Sequence, residues 1–120
     1  MAGIEAKSFD SPDETREFQA HGHADVVDMH GKPVLRSVFE PGWHWKDDIG
    51  PIAGTDSCQM HHLGYCVQGH LRVRMDDGTE IELGPGEVAE IMPGHDAEVV
   101  GDEACIFVDF GDVERFAAAG

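Results

Sequence analysis

The chain has 120 residues, enough for one domain with one modest hydrophobic core. It carries 24 acidic against 8 basic residues, a net charge of −16 at pH 7, which argues against a nucleic-acid-binding face and against an anionic membrane surface. No apolar run is long enough to span a bilayer, and the first residues, M-A-G-I-E-A-K, lack the apolar stretch of a signal peptide. These features predict an acidic, cytoplasmic protein.

The predicted elements are almost all β-strands. Residues 1–20 are polar and are predicted to form an N-terminal arm, residues 21–112 a β domain, and residues 113–120 a tail with a short helix. The predicted strands cover residues 24–29, 34–40, 56–68, 70–75, 79–83, 88–92, 96–100 and 104–110, with a loop over residues 46–55 and no internal helix. Asp77 and Gly78 predict a tight type I′ hairpin. About eight short strands at this spacing favour an all-β jelly-roll β-barrel with a short N-terminal arm.

Residues 56–69, D-S-C-Q-M-H-H-L-G-Y-C-V-Q-G, concentrate groups that bind metals or protons. As a strand, this stretch places side chains alternately on two faces. One face carries Cys58, Met60, His62, Gly64, Cys66 and Gln68, and the other carries Gln59, His61, Leu63, Tyr65 and Val67. The first face is therefore the candidate site. Because the chain has three cysteines and no C-x-x-C pair, we expect reduced thiols.

Residues 68–97, Q-G-H-L-R-V-R-M-D-D-G-T-E-I-E-L-G-P-G-E-V-A-E-I-M-P-G-H-D-A, resemble the conserved barrel of a small single-domain cupin. Gly69 fits the glycine that closes the first cupin motif, and Gly86 and Gly94 fit the two glycines of the second. The resemblance covers about residues 34–110 and implies a cupin-type barrel around a small-molecule site.

The usual metal ligands of that family are three histidines and a glutamate, and this chain departs from them. The glutamate position holds His62, and the first two histidine positions hold Asp56 and Cys58. The last histidine position holds Ala97, but His95 lies two residues earlier and points to the same side of the barrel by strand parity.

Asp56, Cys58, His62 and His95 together form a chemically acceptable set of ligands for a divalent metal, whether zinc, iron or copper. On a straight strand Cys58 and His62 would lie about 13 Å apart, so the chain must bend or bulge between them for both to reach one ion. If that bend shifts the register, His61 replaces His62 as a ligand.

The remaining candidate pocket residues are Met60 and Cys66, on the strand face, and the two tryptophans Trp43 and Trp45. The tryptophans either line a ligand pocket at the mouth of the barrel or pack at a subunit interface. A monomer would expose a large apolar surface made of these two tryptophans and the phenylalanines of the arm. The sequence therefore also predicts a homodimer.

Two functions from different classes follow. The first is a metal-dependent enzyme of dioxygenase, isomerase or lyase type acting on a small organic substrate, the reaction types that the resemblance implies. In this hypothesis His62 and His95 are the catalytic residues, either as metal ligands or, without a metal, as an acid–base pair. The second is a non-catalytic ligand-binding or sensor cupin without a redox metal.

Overall fold

The computed structural model describes residues 3–118, so the first two residues of the predicted arm and the last two of the predicted tail lie outside the described part. Within it, the chain forms nine β-strands and two short α-helices. In chain order they are β1 (Glu14–Glu17), β2 (Gly22–Met29), β3 (Lys32–Phe39), α1 (Trp45–Asp48), α2 (Gly50–Ala53), β4 (His62–Gln68), β5 (His70–Met75), β6 (Glu80–Leu83), β7 (Val88–Ile91), β8 (His95–Val100) and β9 (Cys105–Asp109).

The strands form two antiparallel sheets. The larger sheet has the order β1-β2-β3-β9-β4-β7, and the smaller has the order β6-β5-β8. The buried hydrophobic side chains of both sheets join in one core cluster. The prediction of an all-β jelly-roll barrel is confirmed. No helix within residues 3–118 has the length and the apolar character that crossing a membrane requires.

The strand pattern explains which side chains enter the barrel. Along β4, the buried residues His62, Gly64 and Cys66 alternate with the exposed Leu63 and Tyr65. This is the period of two that a strand with one buried face must have. The predicted face of this strand is therefore the inner one.

The expectation of no internal helix is wrong for residues 46–55, where α1 and α2 lie. Trp45 and Ile49 are one helical turn apart and both are almost fully buried, so the segment is held by packing rather than by helix propensity. Pro51 lies in the first turn of α2, and Gly54 ends that helix in the left-handed conformation that glycine adopts freely. These two helices cover one end of the barrel next to the candidate site.

Strand β1 and the C-terminal segment up to residue 118 are tied together. Strand β1 lies within the predicted arm and pairs with β2. The buried guanidinium of Arg16 donates hydrogen bonds to the carbonyl oxygens of Val113 and Phe116, each at 3.0 Å. The tail residues up to 118 form turns instead of the expected helix. Arg16 thus fixes the C-terminal segment against the barrel.

The β5–β6 hairpin has a different turn from the one predicted. A type I′ turn needs positive φ at both central residues, but of Asp77 and Gly78 only Gly78 has it, with φ 93°. The amide of Gly78 donates to the carbonyl of Met75, and the amide of Met75 donates to the carbonyl of Thr79. This is the three-residue loop that ends in a glycine bulge, and it spares Asp77 the strained left-handed conformation.

Candidate metal site

The candidate site lies where β4 and β8 begin. The chain changes direction over residues 59–61, and Cys58 pairs with His95 as an isolated bridge. The amide of Cys58 donates to the carbonyl of His95 at 2.7 Å, and the amide of Gly94 donates to the carbonyl of Cys58 at 2.7 Å. Because this bend replaces a straight strand, Cys58 and His62 come together although four residues separate them.

Cys58, His62 and His95 present their donor atoms to one point. These three atoms all lie within 4.8 Å of one another, and all three residues are buried. The Sγ atom of Cys58 is 3.6 Å from Nε2 of His62. Zinc–sulfur and zinc–nitrogen bonds in a tetrahedral site place those two atoms roughly 3.5 Å apart. The residues present therefore fit a metal ion with three protein ligands.

Each imidazole is oriented through its other nitrogen. The Nδ1–H group of His62 donates to Oδ2 of the buried Asp109 at 2.5 Å, and the Nδ1–H group of His95 donates to the carbonyl of Met92 at 2.8 Å. Both rings consequently keep Nε2 for the cluster. Metal-binding histidines are typically held in this way, because the outer hydrogen bond fixes the tautomer and the ring orientation.

The same contacts shift the proton affinities of Cys58 and His62. Burial alone would raise the pKa of the Cys58 thiol, but hydrogen bonds to His62 and His95 outweigh it and lower the pKa to about 6. Burial alone would lower the pKa of His62, but hydrogen bonds to Asp109 and Cys58 raise it to about 9. Without a metal, the pair is therefore a thiolate and an imidazolium at neutral pH. A metal ion would displace the imidazolium proton and bind the thiolate directly.

The other two cysteines are in a different environment. All three cysteines are free thiols. Burial raises the pKa of both Cys66 and Cys105, so these two remain protonated at neutral pH. Only Cys58 combines a thiolate with neighbouring imidazoles.

The structure does not bring two of the predicted metal ligands to the cluster. Asp56 is exposed on the loop before Cys58. His61 points out of the barrel, where its two ring nitrogens lie 2.9 Å from Asp112 and 2.8 Å from Glu90. Hydrogen bonds to Glu90 and Asp112 raise the pKa of His61. Because both ring nitrogens are held by carboxylates outside the barrel, His61 offers no nitrogen to the cluster.

Two neighbouring cavities surround the cluster. The inner cavity has a volume of about 30 Å³ and is lined by His62, His95, Trp43, Trp45 and Phe116 among others. The outer cavity has a volume of about 370 Å³, and Cys58 and Met60 contribute to its lining. The inner cavity has room for about two water molecules, and the outer one is large enough for a small organic molecule. Trp45 and Phe116 line both cavities and so separate them.

The predicted pocket residues divide between these cavities and the core. Trp43 and Trp45 are each only 2% exposed, so they wall the inner cavity, and the alternative of a subunit interface is wrong for them. Met60 lines the outer cavity. Cys66 faces inward but lines neither cavity, since its thiol lies against the carbonyl oxygens of Gln68 and Gly69.

Sequence reasoning missed Asp109 and Phe116. Asp109 ends β9, which reaches His62 only because β9 and β4 are neighbours in the sheet. Phe116 lies in the tail, and its ring meets that of His62 edge-on at 5.3 Å. The signal for Asp109 was a charged residue in an otherwise apolar run, C-I-F-V-D-F. Such a residue on a buried strand face needs a partner.

Comparison with known proteins finds similar solved structures but no match by sequence. No family model matches the sequence, and no curated protein matches it. An RmlC-like cupin from Shewanella frigidimarina is 18% identical with a TM-score of 0.60, and the match covers 96% of this chain and 97% of that one. KdgF from Halomonas sp. is 17% identical with a TM-score of 0.58, covering 82% and 87%. A variant of oxalate decarboxylase from B. subtilis is 16% identical with a TM-score of 0.60, covering 90% of this chain but 29% of that longer one.

The similarity to these solved structures agrees with the two antiparallel sheets of this chain and with the barrel that the sheets enclose. The chain has the double-stranded β-helix fold of the cupins, as the sequence predicted. It also holds a cluster of one cysteine and two histidines that could bind a metal inside that barrel.

Proposed function

We propose that this protein is a metal-dependent cupin enzyme that holds one divalent metal ion on Cys58, His62 and His95 and acts on a small organic molecule. The observation that carries the proposal is the convergence of three buried donor atoms within 4.8 Å, with the second nitrogen of each imidazole already hydrogen-bonded elsewhere. Three protein ligands leave a coordination position for a substrate or water, which is typical of catalytic and not of structural zinc sites.

The ligand set determines what a bound metal would supply. One thiolate and two neutral imidazoles leave a divalent ion with a net charge of about +1, so the ion can polarise a carbonyl group or activate a water molecule. Dioxygenase, isomerase and lyase reactions are the candidate classes. The oxalate decarboxylase with this fold is, by its name, an enzyme that acts on a small organic acid, and it supports the proposal of enzyme activity.

The protein's own residues have separate tasks in this proposal. Asp109 and the carbonyl of Met92 orient the two imidazoles. The aromatic side chains of Trp43, Trp45 and Phe116 exclude bulk water from the inner cavity. In a cavity with room for only about two water molecules, interactions with a polarised substrate are stronger than in bulk water.

A second candidate function is favoured by the Cys58–His62–Asp109 chain of contacts. A thiolate, an imidazole and a buried orienting carboxylate are the parts of a cysteine nucleophile and its base. In this alternative no metal takes part: the Cys58 thiolate adds to the acyl carbon of an ester or amide in the outer cavity, the leaving group departs with a proton from His62, and water then hydrolyses the thioester. The two candidates make opposite predictions for metal content.

Metal analysis of protein purified without a His-tag or added metal tests the proposal. We expect about one divalent metal ion per chain in the wild type and in His70→Ala, whose side chain is exposed at the start of β5. We expect none in His62→Ala or His95→Ala. Circular dichroism and thermal unfolding establish that each variant is folded. Folded His62→Ala and His95→Ala variants with wild-type metal content would overturn the proposal.

A further inference from the structure

The outer cavity differs in charge from the rest of the surface. The chain has 24 acidic residues, yet none of those within residues 3–118 lines this cavity. Its single basic lining residue is Arg115, an exposed side chain next to Phe116 in the C-terminal segment. In a chain with a net charge of −16, the part of this cavity's lining that lies within residues 3–118 therefore presents a basic side chain and no carboxylate to an anion.

Arg115 has no ion-pair partner among the described residues. Within residues 3–118, the lysines and arginines that lie within 4.0 Å of a carboxylate are Lys7, Arg16, Arg36, Arg72 and Arg74. Arg115 is exposed, and no carboxylate of residues 3–118 holds its guanidinium, so a ligand anion competes with solvent for its hydrogen-bond donors. A guanidinium presents these donors in a planar fork that matches the two oxygens of a carboxylate.

One part of the outer cavity wall is apolar. Ile49 and Ile52, from the two short helices, and Met60 form part of its wall, and Cys58 of the metal site also lines it. A ligand placed here would have an apolar body against these side chains and would lie next to Cys58.

We propose that the ligand of this site is a small organic anion, a carboxylate with an apolar body, whose carboxylate binds Arg115 in the outer cavity. The inference rests on the proposed function in that it assigns a substrate class to the same site. It adds Arg115 as the residue that selects the anion.

Binding of benzoate and of its neutral analogue benzamide, measured by ligand-observed NMR, tests the inference on zinc-loaded and on metal-free protein. We expect wild-type protein to bind benzoate about tenfold or more tightly than benzamide, the ratio that one charge-assisted pair produces. Arg115→Gln should reduce that ratio to near one. Lys46→Gln is the matched control, since it removes a positive charge from α1 at a residue that does not line the cavity, and it should keep the wild-type ratio.

Equal affinities for benzoate and benzamide in the wild type, or an unchanged ratio in Arg115→Gln, would overturn the inference. A preference for benzoate that depends on zinc and not on Arg115 would show that the metal itself binds the anion, so the inference would fail while the metal site stands. An Arg115-dependent preference in a protein that does not bind zinc would support the inference and remove the proposed metal function.

Discussion

The Nδ1 atom of His62 lies 2.5 Å from Oδ2 of Asp109, and both side chains are buried. The other carboxylate oxygen, Oδ1, accepts hydrogen bonds from the amides of Leu63 and Gly111 at 3.2 and 3.0 Å. Asp109 is thus held by one backbone amide from β4 and by another from the residue two positions after it. A carboxylate fixed in this way keeps the Nε2 atom of His62 directed at Cys58 and His95.

Asp109→Asn should weaken metal binding without removing a ligand. The amide still fits the space, but it loses the negative charge that makes His62 a more basic donor. We expect zinc affinity to fall about 10- to 100-fold, measured by competition with a chelator. Asp112→Asn is the matched control, because Asp112 contacts the outward His61. A loss of the same size in Asp112→Asn would show that the effect is not specific to the site.

The metal-free protein should contain a thiolate at neutral pH. The ordinary pKa of a cysteine thiol is 9.0, and that of Cys58 is lowered to about 6. Since a lowered pKa means that the thiol loses its proton at lower pH, the thiolate should form as the pH rises through about 6. The far-ultraviolet thiolate absorption of the wild type, minus that of Cys58→Ser, should rise with that midpoint. A midpoint near 9 would contradict the contacts to His62 and His95.

Strand periodicity explains how much of the site the sequence predicts. Alternation along residues 62–67 places His62 inside the barrel and Leu63 and Tyr65 outside it, because a strand with one buried face leaves no other choice. The same alternation places His95 and Ala97 together on the inner face of β8. These assignments depend only on local pattern.

The remaining parts of the site depend on which strands are neighbours. The sequence suggested Asp56 as the carboxylate because it is close to Cys58 along the chain, whereas the structure uses Asp109 from the adjacent strand β9. Phe116 reaches the site from the tail, where its carbonyl oxygen accepts a hydrogen bond from Arg16 of β1. Local periodicity carries no information on either relationship, since both depend on sheet order and on long-range packing.

Gly78→Val should destabilise the β5–β6 hairpin. Gly78 has a φ of 93° with open space around it, so the cost is backbone strain and not a steric clash. We expect a loss of about 1 kcal/mol or more in the free energy of unfolding, measured by urea denaturation. Gly78→Asn is the control and should lose less, because asparagine tolerates positive φ better than a β-branched residue. Equal stability of wild type and Gly78→Val would count against the turn.

A homodimer remains a prediction, but its predicted interface is now a surface that does not include Trp43 and Trp45. Leu63, Tyr65 and Val88 are exposed on the outer face of the larger sheet, and Tyr65 lies directly opposite Val88 across the two strands. We expect sedimentation at micromolar concentration to give twice the chain mass, and Tyr65→Glu to give the single chain. Ile81→Glu, on the smaller sheet, should leave the dimer intact. A wild type that sediments only as a single chain would contradict the prediction.

The most direct measurement of the central claim is the absorption spectrum of the protein loaded with Co²⁺, a zinc substitute with visible and ultraviolet bands. A site made of Cys58, His62 and His95 predicts one equivalent of Co²⁺ with a sulfur-to-cobalt charge-transfer band. It predicts that Cys58→Ser loses this band while Cys66→Ser, whose thiol lines neither cavity, keeps it. No cobalt binding, or a charge-transfer band that persists in Cys58→Ser, would contradict the account.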